Sequence, residues 1–239
     1  MEWMVCVTGD DFDLQELSKS LNSPELCVIK EENEYYLKST SFKQLSSDNK
    51  VQNKAKNILS LFNGVLRLAL GTREPITIAK VIKIKDDGNR ETYVYGSLRI
   101  PVKSRASIKS VTIVSSNGTV QEIQQPDPIL SWIKIAQGNE NVAKVFRLLA
   151  NFGYDWVNLN RILEVIMKDV GGSSNITRKG WATKKSIDRF TGTANNPDVI
   201  GDTARHGIAK NKPLEDPMTF SEAKSLIETV LHNWLRSKI

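Results

Sequence analysis

The chain has 239 residues, enough for one large domain or two small ones. Hydrophobic residues make up 40% and charged residues 25%. That balance fits an ordinary globular protein, and no apolar run approaches the ~20 residues that span a bilayer. The net charge of +6 is uneven. Residues 1–125 hold 17 Lys and Arg against 15 Asp and Glu, and residues 126–239 hold 16 against 12. Glu2 and the acids Asp10, Asp11 and Asp13 do not suit a secretory leader, so cytoplasmic residence without a membrane partner is expected. The two cysteines, Cys6 and Cys27, sit in strand-like apolar runs and read as free thiols unless those strands are neighbours.

In chain order, Trp3 to Val7 reads as a strand. A helix follows with capping-box spacing from Asp13 to Glu16 and Leu14, Leu17 and Leu21 on one face. Leu26–Lys30 and Tyr35–Ser39 form a hairpin. A long helix is predicted from Asp48 to Leu70, where Val51, Ala55, Ile58, Leu59, Phe62, Val65, Leu66 and Ala69 make one stripe and Gly71 ends it. Two more hairpins follow: Thr77–Lys85 with Thr92–Val102, turning at Asp87-Gly88, and Ser107–Ser115 with Thr119–Ile123, turning at Asn117-Gly118. The segment Gln124 to Pro128 marks a boundary. The expected domains are 1–125, α+β with a mostly antiparallel sheet, and 126–239, an all-α helical bundle.

In the second part, Leu130–Ala136 is a short helix. Asn139 caps a helix to Asn151, and Asp155 caps Trp156–Val170, on which Glu164 and Lys168 stand at i,i+4. A further helix is expected from Arg178 to Thr191. A Thr219-x-x-Glu222 capping box opens the last helix, with Ala223, Leu226, Ile227, Val230, Leu231 and Trp234 inward.

Several chemistries are excluded by motif: no phosphate-binding Gly-rich loop, no Gly-x-Ser-x-Gly elbow, and no paired His and Cys spacing for zinc. No metal or other cofactor is expected. The densest polar segment is Trp181–Gly207. Its His206 can move protons near neutral pH, and Arg205 can hold phosphate, with Asp202 a turn-like distance before them. The bland reading of the same two residues is that of loop anchors, tying Gly201–Pro217 to the bundle by hydrogen bonds. Arg178, Lys179, Lys184, Lys185 and Arg189, with Asn195 and Asn196, form a candidate nucleic-acid surface. Against that, Lys184 and Asp188 have the spacing of a solvated i,i+4 pair. Arg189 could instead cap carbonyls or pair with Asp155 or Asp169. Trp156, Trp181, Trp234 and His232 read as packing residues.

Residues ~128–239 resemble helical C-terminal regions of uncharacterised bacterial proteins in the phrases DWVNLNRILEVIMKDVGG, GWATKKSIDRFTGTANN, ARHG and PMTFSEAKSLIETVLHNWL. More distantly the region is similar to the HEPN superfamily, compact helical domains of bacterial toxins and phage-defence effectors. Many of those are dimeric, metal-independent ribonucleases with an Arg a short step before a His. Here Arg205 directly precedes His206, and Arg189 lies further upstream. The resemblance implies a bundle and, through it, RNA as partner, a homodimer and RNA cleavage. The other class of reading is a non-enzymatic module whose first domain recognises a protein partner or ligand and whose bundle docks or dimerises.

Overall fold

The computed structural model describes residues 2–95, 110–114, 120–124, 128–209 and 212–239. It is an α+β protein: an antiparallel sheet in the first half and, among the described residues, helices without strands from Pro128 onward. The chain divides into two units, Met1–Ile133 and Lys134–Ile239.

The first unit carries strands β1 (Glu2–Thr8), β2 (Leu26–Glu31), β3 (Glu34–Ser39), β4 (Thr77–Ile84) and β5 (Arg90–Val94), in the order β2-β3-β1-β4-β5 and all antiparallel. Helix α1 (Asp11–Ser20) packs on β2, and α2 (Asp48–Leu70) packs on β1 and β4. The α2 stripe is core as expected: Val51, Ala55, Leu59, Phe62, Val65 and Leu66 are buried, and Gly71 ends the helix at φ +67, where a side chain would be strained. The first helix begins earlier than expected. Asp10, not Asp13, is the cap, its carboxylate accepting from the backbone N–H of Phe12 and Asp13. A separate hairpin pairs β6 (Ser110–Val114) with β7 (Val120–Gln124). The expected continuation of the preceding hairpin to Val102 and the Asn117-Gly118 turn lie outside the described residues.

Cys6 on β1 and Cys27 on β2 are separated by β3, so they are not neighbours and both thiols are free. Burial, with Glu34 adding, pushes the Cys6 thiol up to about 11, which leaves it without thiolate character near neutral pH.

Following α3 (Pro128–Gly138), the second unit contains α4 (Glu140–Phe152), α5 (Trp156–Val170), α6 (Ser173–Arg178), α7 (Lys184–Ala194), α8 (Pro197–Ile200) and α9 (Phe220–Arg236). The caps at Asn139, Asp155 and Thr219 form as read from the sequence, Thr219 with Glu222 in a full capping box. The expected 178–191 helix begins later, as α7 at Lys184, and Arg178 is instead the last residue of α6. Gly180 at φ +71 breaks the chain after α6, and Thr183 starts α7 by accepting from Ser186 N. Trp156, stacked near Phe190 and edge-on to Phe220, and Trp234 are core, while Trp181 is half-buried.

Asp169 joins three helices. It accepts from Asn141 Nδ2 on α4 at 2.8 Å, from Trp234 Nε1 on α9 at 2.8 Å, and from Lys238 Nζ at 2.6 Å. Burial opposes its charge, but those donors together hold its carboxyl below the usual range.

Two substitutions test these cores. Leu59→Asp places a charge in a site without a partner and should abolish the first unit's thermal transition, a loss above about 4 kcal/mol. Asp169→Ala strands the buried Trp234 N–H and should destabilise the second unit by about 1–3 kcal/mol. Circular-dichroism melts read both, and an unchanged melt would contradict the packing assigned to that residue.

Candidate functional site

The dense polar segment splits into three places. The first is a cleft of about 450 Å³ lined by Asp188, Thr191, Gly192, Asn195, Asn196, His206, Lys212 and Leu214. One wall is the C-terminal half of α7. The other is the chain after α8, including residues 212–218, laid back across α7. That return passes close over Gly192, where an added Cβ would stand 2.8 Å from Leu214 Cδ1. His206 is half-buried in this cleft and makes no hydrogen bond among the described residues. Asn195 also lines it, and its Oδ1 is buried without a donor among the described residues. Asn196 has a structural role: it is buried, and its carboxamide oxygen caps α8 by accepting from Asp198 N at 2.9 Å.

The second place belongs to Arg189, half-buried on α7. Its Nε donates to the Asp216 carbonyl at 2.9 Å. Nη2 donates to the Pro217 carbonyl and to Asp216 Oδ1, both at 3.1 Å, and Nη1 to Glu222 Oε1 at 3.0 Å. Thr193 Oγ1 accepts from Met218 N at 2.9 Å beside it. Arg189 is therefore a clamp on the 216–222 return, and its acidic partners are Asp216 and Glu222 rather than Asp155 or Asp169.

The third place is the α5 side. Arg205 leaves the cleft to His206. Its backbone N–H donates to the Ala194 carbonyl at 2.9 Å, and its Nη2 lies 2.7 Å from Glu164 Oε1. With the Asn160 amide oriented to match its donors, Asn160 Oδ1 accepts from Arg205 Nε and Nη1 at 3.3 and 3.2 Å. Glu164 thus pairs with Arg205, and the expected i,i+4 pair with Lys168 does not form. Asp202 is exposed in a short 3-10 turn, Gly201–Thr203. Arg189, Arg205 and His206 do not converge on one cleft.

The basic surface is similarly divided. Arg178 ends α6, and Lys179 lies over the Trp181 ring at 5.4 Å. Lys184 pairs with Asp188, and Lys185 is exposed. His232 on α9 is half-buried, and burial pulls its imidazole below the ordinary value, Arg236 adding to this and Glu228 opposing it.

Lys212 and Leu214 are cleft residues that the sequence did not single out. Neither belongs to a local motif; they reach the cleft only through the return of residues 212–218 over α7. Among the described residues no group of three or more His, Cys, Asp or Glu could hold a metal, and no helix is long and apolar enough to cross a membrane. Comparison with known protein families, curated proteins and solved structures finds no match to this chain.

The clamp should be visible in pH dependence. The Thr219 backbone N–H, then Arg189, then the Thr219 hydroxyl lower the Glu222 carboxyl to about 2. A depressed folded value stabilises above the unfolded value of about 4.3 and is lost as pH falls toward about 2. Melting of the wild type should fall more steeply across that window than melting of Glu222→Gln. Parallel curves would show that Glu222 is not linked to folding.

Proposed function

We propose that this is a cytoplasmic RNA-binding effector whose helical unit cleaves single-stranded RNA without a metal, with His206 as the proton-transferring group. The observation that supports the reading is His206 itself. It lies in an accessible cleft with Lys212 and amide side chains, and no hydrogen bond to the described residues ties it down as a loop anchor would be tied.

The chemistry fits those groups. His206 takes the proton of an RNA 2′-hydroxyl. The 2′-oxygen bonds to the adjacent phosphorus, the bond from phosphorus to the 5′-oxygen breaks, and that oxygen takes up a proton. Lys212 offsets the charge gathering on the phosphoryl oxygens. Nucleophile and leaving group stand on opposite sides of phosphorus, so a second acid is needed on the far side. A homodimer that presents the same histidine of a second copy supplies it. Arg205 is a positioning residue in this scheme, holding the His206 segment to α5 and α7.

The separation of Arg205 from His206 favours a second reading: a binding module without turnover, which recognises RNA or a protein partner. Activity separates the two. Changing His206→Ala should lower cleavage of a fluorescent single-stranded RNA by about 10²–10⁴ with an unchanged melting temperature. Chelators should have no effect. Arg205→Lys should lose less than Arg205→Ala, because Lys keeps the charge to Glu164 and loses only the planar fork to Asn160. Full activity in His206→Ala, or RNA bound but never cut by the wild type, leaves the binding module.

A further inference from the structure

A groove of about 410 Å³ runs between α4 and α5, lined by Lys144, Leu148, Arg161, Glu164, Val165 and Lys168. Arg161, Glu164, Val165 and Lys168 fall at i, i+3, i+4 and i+7, one continuous stripe of α5. Lys144 and Leu148 stand one turn apart on α4. Lys144, Arg161 and Lys168 are exposed, and none has an acidic partner among the described residues. The one acid, Glu164, is already matched by Arg205 at 2.7 Å. Three cations therefore line a concave track whose negative charge is cancelled from outside it.

One end of the track also carries an aromatic face. Phe152, closing α4, is 54% exposed, with the Arg161 guanidinium 5.4 Å from its ring centre. More than half of the residue's surface is therefore open to a stacking partner. Unpaired cations beside an exposed aromatic ring are the combination that grips a single strand: phosphates meet the cations, and a base stacks on the ring or on the guanidinium plane. A duplex is a poorer fit, since its bases are already stacked. An acidic peptide would use the cations but leave Phe152 bare.

The groove meets the His206 cleft through one residue. Arg205 contacts Glu164, a groove residue, with its side chain, and the next residue lines the cleft. We infer that the α4–α5 groove is a second binding site, for the sugar–phosphate backbone of a single-stranded nucleic acid, with Lys144, Arg161 and Lys168 on phosphates and Phe152 under a base. This rests on the RNA reading given above for its choice of polyanion.

The test separates binding from cleavage. A fluorescein-labelled, fully 2′-O-methylated single-stranded RNA lacks the nucleophilic hydroxyl and reports binding alone, by anisotropy across a salt series. The variant Lys144→Gln/Arg161→Gln/Lys168→Gln should bind more weakly and show a log–log salt slope shallower by about 2, three contacts at roughly 0.7 each for a single strand. Phe152→Ala should weaken binding without altering that slope. Glu164→Gln removes the groove's only acid and should tighten binding, a gain that an unfolded variant cannot imitate. A triple variant with wild-type affinity and slope overturns the groove site whatever the cleavage assay shows, and so does a wild type that binds polyglutamate but not the RNA. Intact binding through the groove with no cleavage of unmodified RNA overturns only the catalytic reading.

Discussion

The candidate cleft exists because Arg189 holds the chain down. Residues 212–218 have no regular structure of their own, yet Lys212 and Leu214 form a wall of the cleft. The guanidinium fixes that return by bonding to two main-chain carbonyls and two carboxylates, and Thr193 adds a bond to Met218 N. An isolated surface ion pair contributes little, since solvent screens it and two long side chains lose freedom. A planar fork with several partners loses less freedom for each bond formed. Gly192 completes the arrangement by letting the return lie close to α7. The same bonds hold Glu222, so the clamp also secures the start of α9.

Much of the fold was legible because its determinants are local. The α2 stripe, the caps at Asn139, Asp155 and Thr219, and the β2–β3 hairpin each depend on residues within a few positions of one another. The failures are local contests decided otherwise. Asp10 and Asp13 can both cap a helix, and the earlier one does. The break at Gly180 is written in the sequence as a Gly before Trp181 and Thr183, and Thr183, a capping residue three positions on, starts the helix in place of Arg178.

Partners distant in sequence were not legible. Arg189 finds Asp216 and Glu222, at separations of 27 and 33 residues, and Arg205 finds Glu164. A charged side chain advertises that it needs a partner and says nothing of which one. The i,i+4 rule offered Lys168 to Glu164 because both lie on one helix. An arginine from another segment, supported by the buried Asn160, displaces that pairing. Lys168 is thereby released to the groove, so a local rule failed at a place where the surface acquires an unmatched charge.

The adjacency of Arg205 and His206 shows how a dense motif can mislead. Arg205 and His206 sit in a bent stretch of chain, residues 204–208, and their side chains reach different places. The backbone N–H of Arg205 is anchored on the Ala194 carbonyl at the end of α7, while its side chain reaches α5. His206, the next residue, lines the cleft. A pair that reads in sequence as one acid–base unit becomes in space an anchor and a cleft imidazole. The anchor fixes where the imidazole stands, and because Arg205 neutralises Glu164 it also sets the charge of the groove beyond. A change at this one residue is therefore felt on both sides, which is why the roles of cleft and groove must be separated by variants that leave Arg205 in place.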